Sequence, residues 1–117
     1  MRKGIVDIAV DEALRSGQNH KHGAVVVRSG KVLSSGHNKV TNKGPSYLYS
    51  CHAEMAAIKQ SADKKGLQDA HLYVVRINTC GLADSKPCCF CQRFMKIHGI
   101  SRVFFSTNSG SIDSMYI

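Results

Sequence analysis

Residues 71–106 run HLYVVRINTCGLADSKPCCFCQRFMKIHGISRVFFS, and the pattern of this stretch decides the fold. His71–Ile77 (HLYVVRI) is β-branched and aromatic, the composition of a strand. Residues 78–86 (NTCGLADSK) are expected to form a loop. Pro87 stands where proline is tolerated, in the first turn of a helix running from about Cys88 to His98 and capped by Gly99. Arg102–Ser106 (RVFFS) is again a strand. A strand, a helix and a strand in this order predict a right-handed parallel crossover.

Beyond it, Thr107–Ser111 (TNSGS) reads as a turn and Ile112–Ile117 (IDSMYI) as a last strand. A connection of about five residues is too short for a crossover, so the last two strands are expected to be antiparallel. Upstream, His52–Lys65 is rich in Ala, Met, Lys and Gln, has no internal Gly or Pro, and meets Gly66, which predicts a helix. Residues 39–50 (KVTNKGPSYLYS) read as an irregular loop punctuated by Gly44-Pro45. GAVVVR (23–28) and KVLSSG (31–36) flank Ser29-Gly30 and predict a hairpin. Segment 2–16 is an amphipathic helix ended by Gly17: Val6, Val10 and Leu14 recur at i, i+4 and i+8, Ile5, Ala9 and Ala13 form the adjoining row, and Asp7, Asp11 and Glu12 fall largely off that face. The order α-β-β-α-β-α-β-β is that of an α/β domain with a mixed sheet.

The chain has 117 residues, the size of one domain, 1–117, able to bury a core of its own. With 43% hydrophobic and 21% charged residues it is globular rather than disordered. No apolar run approaches the roughly 18 residues of a membrane span, and the start MRKGIVDIAVDEAL carries acids where a signal peptide is apolar. The protein is therefore expected to be soluble and cytoplasmic, with no membrane partner. Lys+Arg 16 against Asp+Glu 8 gives a net charge of +8, which suits phosphates or nucleic acid. The basic residues are scattered from Arg2 to Arg102, so a solvated basic surface accounts for them equally well. Five cysteines, three of them at Cys88, Cys89 and Cys91, argue against a disulfide framework and for thiolate chemistry in a reducing compartment.

Two short pieces carry that chemistry: Cys51-His52-Ala53-Glu54 and Pro87-Cys88-Cys89-Phe90-Cys91, each at a helix start. Cys88 and Cys91 are i, i+3, so both sulfurs project from one face of a first turn, where the helix N-terminus favours the thiolate. His52, Cys88 and Cys91 supply one nitrogen and two sulfurs, a set that suits Zn2+ and leaves a fourth tetrahedral position for water. Glu54, two residues after His52, is placed to move protons rather than to bind metal. The alternative is a closed structural site with a fourth ligand from Cys51, Cys80 or Cys89. Cys89 lies about 100° around the helix from Cys88 and fits poorly, Cys80 sits in a loop and stays available, and a closed site leaves Glu54 without a task.

These pieces match the H-x-E…P-C-x-x-C signature of zinc deaminases at every fixed position. Together with GAVVVRSGKVLSSGHN, HLYVV and HGISRVFF, in the same order, they make the sequence similar to the cytidine/deoxycytidylate deaminase superfamily, which includes cytidine, deoxycytidylate and tRNA adenosine deaminases. The resemblance implies a three-layer αβα sandwich on a mixed five-stranded sheet, and hydrolytic deamination of a cytosine-type or purine ring with release of ammonia. It implies Glu54 as the proton carrier, Asn38 as a hydrogen-bond partner of the sugar, Ala53 as a main-chain donor to the base and Ser85 near the exocyclic amine. The loop 78–86 is longer than in most relatives, which sets Ser85 apart from the usual pattern.

Among other residues, His37 beside Asn38 is a candidate for lining the pocket, Tyr47 and Tyr49 for stacking on a base, and Phe90, Phe94, Phe104 and Phe105 for the core. His20 and His22 read as a polar loop, and His98 as complementing a helix C-terminus. For the substrate, the expectation is a free nucleoside or nucleotide, with Lys39 or Lys43 meeting a phosphate. A base within RNA or DNA is the alternative, favoured by +8 and by Lys39, Lys43 and Lys86 near the presumed mouth, and disfavoured by the absence of a further helix after the last strand. A homo-oligomer is expected from the several apolar faces of the helix 88–98, which carries Phe90, Phe94, Met95 and Ile97.

Overall fold

Gly23–Val27 is a run of five buried residues, and a strand buried on both faces needs a layer on each side. The computed structural model describes residues 4–17, 21–40, 50–61, 67–79, 81–87 and 89–117, and for residues 39, 40, 50, 51 and 90 it describes the backbone alone. Within them the order is α1 (Ile5–Leu14), β1 (Lys21–Arg28), β2 (Lys31–His37), β3 (Lys39–Val40), β4 (Ser50–Cys51), α2 (Ala53–Gln60), β5 (His71–Asn78), β6 (Gly81–Ala83), α3 (Cys89–Ile97), β7 (Arg102–Ser106) and β8 (Ile112–Tyr116). The sheet runs β2-β1-β5-β7-β8 with β6 on the end of β5, so the expected five strands in order are joined by a sixth. β5 and β7 are parallel, whereas β1–β2, β1–β5 and β7–β8 are antiparallel, as is β5–β6. Among the described residues no helix is long and apolar enough to cross a membrane.

Alternation along β1 splits the core in two. Ala24 and Val26 face α2 and α3, packing with Ala53, Ala57, Ile58, Leu72, Val74, Cys91 and Met95. Val25 and Val27 face α1, with Ala9, Ala13 and Val75. Each large apolar side chain so withdrawn from water contributes about 1.5–3 kcal/mol. The expected αβα sandwich is the result.

Several local expectations are corrected. The buried face of α1 is Ala9, Glu12, Ala13 and then Ser16, while Leu14 is 61% exposed. Glu12 is thus turned inward, against the amphipathic reading, because β2 offers it partners: Ser35 Oγ at 2.7 Å and His37 Nδ1 at 2.8 Å. β1 begins at Lys21, so His22 is in a strand and not in a loop, while His20 lies outside the described residues. The stretch 39–50 is not wholly irregular, since Lys39 and Val40 pair with Cys51 and Ser50. α2 is described to Gln60, with Ser61 already extended (ψ 123°), and residues 62–66 lie outside the description. Phe105 is buried, but Phe104 is half-buried on the α1 side, stacked on Tyr73 at 4.4 Å between ring centres.

The stretch 78–86 holds β6 where a loop is expected, and a pair of serines explains why. Beyond Val74–Phe105 the parallel ladder of β5 and β7 ends, and Ser85 and Ser106 fill the opening. Ser106 Oγ accepts from the Arg76 N–H at 3.0 Å and donates to the Ala83 carbonyl at 2.6 Å. Ser85 Oγ accepts from the Ser106 N–H at 2.8 Å and donates to the Val74 carbonyl at 2.9 Å, and the Ser85 N–H donates to the Ser106 carbonyl at 2.9 Å. Both buried hydroxyl groups thereby accept one hydrogen bond and donate another.

α2 lies so close to β2 that a Cβ on Gly36 would stand 2.6 Å from the Ala57 nitrogen and 2.8 Å from the Ala56 carbonyl carbon. Both neighbours are backbone, so the helix as a whole must retreat. Gly36→Ala is expected to cost about 1–3 kcal/mol by overpacking, measured by urea unfolding, and to lower activity as well, because α2 carries His52 and Glu54 at its start.

Candidate active site

The site forms where two helices begin at the same end of the sheet. On β2, Ser34 Oγ donates to the Ala57 carbonyl at 2.7 Å and Gly36 sits under Ala56 and Ala57, so the strand approaches the start of α2 as it runs toward Asn38. The β3–β4 ladder makes the same juxtaposition from the other direction: Lys39 pairs with Cys51, which puts Asn38 and His52 at its adjoining ends. α3, entered from Pro87, presents its first turn there too, and Gln92 Nε2 steadies the entry by donating to the Pro87 carbonyl at 2.9 Å.

His52 is the N-cap of α2, extended at φ −69° and ψ 153°, with its carbonyl accepting from the Ala56 N–H at 2.9 Å. Its Nδ1 lies 3.0 Å from Cys91 Sγ, although the residues are 39 apart in the chain. Two ligands of one tetrahedral zinc ion, at about 2.0 and 2.3 Å from it, stand roughly 3.5 Å apart, so this nitrogen–sulfur pair at 3.0 Å is about half an ångström closer than a ligand pair. Cys91 is fully buried and Cys89 is exposed, which divides the two as their angular separation requires. Cys88 lies outside the described residues, as do Cys80, Lys43, Tyr47 and Tyr49, and among the described residues no three His, Cys, Asp or Glu groups gather to hold a metal. The donor chemistry of His52 and Cys91, an imidazole nitrogen and a thiol in a helix's first turn, fits zinc.

Glu54 is 5% exposed. Burial pushes its carboxyl above the usual range, opposed by its own main-chain N–H, by the nearby His52 and by a hydrogen bond with Cys91. A carboxyl raised in this way keeps its proton to higher pH than an exposed one. Ala53, fully buried, is the first residue of α2, where main-chain N–H groups have no partner within the helix.

Asn38 is buried at 6% exposure, and its carboxamide is oriented by the His22 N–H, which donates to Oδ1 at 2.9 Å. His37 does not line the site. It lies on the α1 face beside Glu12, because neighbours on a strand point to opposite faces. The Ser85 side chain is committed to the wedge described above, so its contact with a ligand is limited to the main-chain carbonyl. Lys86 is exposed just before Pro87, and Lys39 stands in β3. His98 follows the last residue of α3, with its ring 4.7 Å from that of Phe94.

The register adds residues that no sequence motif marks. His22 pairs with Arg76, and both share the pleat that sends Ala24, Val26, Leu72 and Val74 toward α2 and α3. Asn38, His22 and Arg76 therefore form a cross-strand row at the site's end of the sheet. The signal available in advance was only the alternation of HLYVVRIN, which puts Arg76 in phase with two buried residues.

Residues 2–107 match the family described as "Cytidine and deoxycytidylate deaminase zinc-binding region". The chain is 33% identical over 88 residues to a tRNA-specific adenosine deaminase of Aquifex aeolicus, an alignment covering 72% of this chain and 50% of that one, so the chain spans half that protein's length. Its fold is shared with a cytidine deaminase from Burkholderia pseudomallei (TM-score 0.75, 22% identity, 96% of this chain and 89% of that one). It is shared too with the dCMP deaminase of the cyanophage S-TIM5 (TM-score 0.66, 20% identity, 86% and 78%).

The purified protein is expected to carry one zinc ion per chain, measured by atomic absorption. Cys91→Ser and Cys88→Ser should each lose it, because a hydroxyl is a much poorer ligand than a thiolate. Cys80→Ser and Cys89→Ser should keep it, and metal loss from either would point to a closed structural site instead.

Proposed function

Because the chain belongs to the cytidine and deoxycytidylate deaminase family, we propose that it is a zinc-dependent hydrolytic deaminase of a cytosine-type nucleoside or nucleotide, releasing ammonia and leaving the uracil form. The observation that carries this reading is the meeting of His52, Cys91 and the buried Glu54 at two helix starts. His52, Cys88 and Cys91 would hold the zinc ion, and the chemistry it supplies when bound is a nucleophile drawn from water near neutral pH. Glu54 accepts the proton that this water gives up and returns it to the ring nitrogen, then assists departure of the amine. Ala53 offers its N–H to the base, Asn38 its Nδ2 to the sugar, and the carbonyl of Ser85 a contact for the exocyclic amine. The substrate arm draws support from the antiparallel β7–β8 pair, a feature in which the chain resembles enzymes of free nucleosides. Lys39 and Arg76, which pairs with His22 in the neighbouring row, provide cations for a phosphate.

A second reading, deamination of a base within RNA, is favoured by the 33% identity to a tRNA-specific adenosine deaminase and by the net charge of +8. Self-association belongs to the same proposal. Ile97, on α3, is 80% exposed, and light scattering at micromolar concentration tests whether it is covered by a second copy.

Ammonia release should be seen with at least one of cytidine, deoxycytidine and their monophosphates. Rapid conversion of single-stranded RNA with none of these monomers would install the second reading. Glu54→Ala should keep its zinc and its fold yet lose about 10²–10⁴-fold in turnover. Near wild-type ammonia release by this variant would remove Glu54 from the mechanism.

A further inference from the structure

The α1 side of the sheet carries a buried polar cluster that the proposed chemistry does not use. Glu12 Oε2 accepts from Ser35 Oγ at 2.7 Å, and Oε1 accepts from His37 Nδ1 at 2.8 Å. An ionised carboxylate has no proton to give, so the Nδ1 nitrogen is the one that carries hydrogen. Arg15 Nη1 stands 3.6 Å from the same carboxylate. One turn further on, Ser16 Oγ donates to the main-chain carbonyl of Asn38 at 2.9 Å, and Lys21 Nζ donates to the Ser16 carbonyl. The Asn38 N–H and Oδ1 are both bonded to the main chain of His22.

Packing alone does not account for Glu12. The neighbouring inward positions of α1 are Ala9 and Ala13, and a third apolar residue would seal the helix without burying a charge. What the carboxylate adds is direction. β2 stands at the end of the strand order, bonded within the sheet to β1, and a slip of one residue would exchange its two faces. Ser35 and His37 are alternate residues on the α1 face, so a single carboxylate gripping both fixes the pleat. Ser34, Gly36 and Asn38 are then held on the other face.

We propose that Glu12 is a positioning residue for Asn38, acting through Ser35 and His37 from the opposite side of the sheet, with Ser16 holding the Asn38 main chain as the second half of the same clamp. The proposal rests on the reading of Asn38 as the sugar-binding residue. Its product is specificity for the sugar, since a donor built to meet a hydroxyl discriminates against analogues without one only while its orientation is kept.

The test compares kcat/KM for the nucleoside that the enzyme turns over with that for its 2′,3′-dideoxy counterpart, each normalised to zinc content. In the wild type the hydroxylated substrate should be preferred by about 10-fold or more, the worth of one buried hydrogen bond. Asn38→Ala should abolish most of that preference, and Glu12→Ala and Ser16→Ala should each move it several-fold in the same direction. A purely structural role would lower the melting temperature and slow both substrates equally, leaving the ratio untouched. Ser16→Ala removes a single hydroxyl and carries the test if Glu12→Ala does not fold. A collapsed ratio in Asn38→Ala with unchanged ratios in the other two overturns the clamp alone. An unchanged ratio in Asn38→Ala, or a wild type without monomer turnover, overturns the reading of the site and the clamp with it.

Discussion

Two parallel neighbouring strands cannot be joined by a turn: the chain must leave the end of the first, cross a face of the sheet, and return to the start of the second. Between β5 and β7 that obligation is met by α3, whose first turn must emerge near the end of β5. The rest of the site follows from this. β1 and β2 run so that the end of β2 reaches the same edge, and the β3–β4 ladder passes the chain on from Asn38 to the start of α2. His52 and Cys91 become neighbours at 3.0 Å because two helix starts are brought to one place, and helix starts favour both thiolates and anions.

Among the described residues two carboxyl groups are buried, Glu12 and Glu54, one on each face of the sheet and shifted in opposite directions. Burial raises both. For Glu54 it prevails over the help of its own N–H, of His52 and of Cys91, so the carboxyl is held above its ordinary range. For Glu12 the hydrogen bonds from His37 and Ser35, with the charge of Arg15, outweigh the burial and hold the carboxyl below its ordinary range. A group lowered on folding contributes stability above its unfolded value, and that contribution is lost as pH falls through the folded one. Glu12 thus acts as a fixed charge over the range in which Glu54 is suited to titrate.

Most of the architecture was legible because it rests on periodicity and connection length. GAVVVR and KVLSSG around Ser29-Gly30 predict a hairpin, RVFFS after a helix must be parallel to HLYVV, and a five-residue turn forces β8 back. The candidate site residues were legible for a different reason: His52, Glu54 and Cys91 belong to short motifs whose chemistry demands those residue types. What was not legible depends on contacts between distant residues. Nothing in VDEAL marks Glu12 as buried rather than exposed, since the partners that make its burial tolerable, Ser35 and His37, lie 23 and 25 residues away. Ser85 and Ser106 are ordinary loop and strand-end residues until the divergence of β5 from β7 puts their hydroxyl groups 2.8 Å apart. The serine pair is also why NTCGLADSK folds a strand that its polar composition hides.

That serine pair has a consequence for how such a chain changes over generations. The segment that leads into α3 is pinned to β5 and β7 at Ser85, two residues before Pro87, and not at the tip of the β5–β6 hairpin. Residues inserted or deleted near Asn78–Gly81, where β5 turns into β6, leave that pin and the entry to α3 in place. Loop closure makes added length there inexpensive. The hairpin is therefore a point at which lineages sharing this scaffold are free to diverge in length and reach while the reactive centre keeps its geometry.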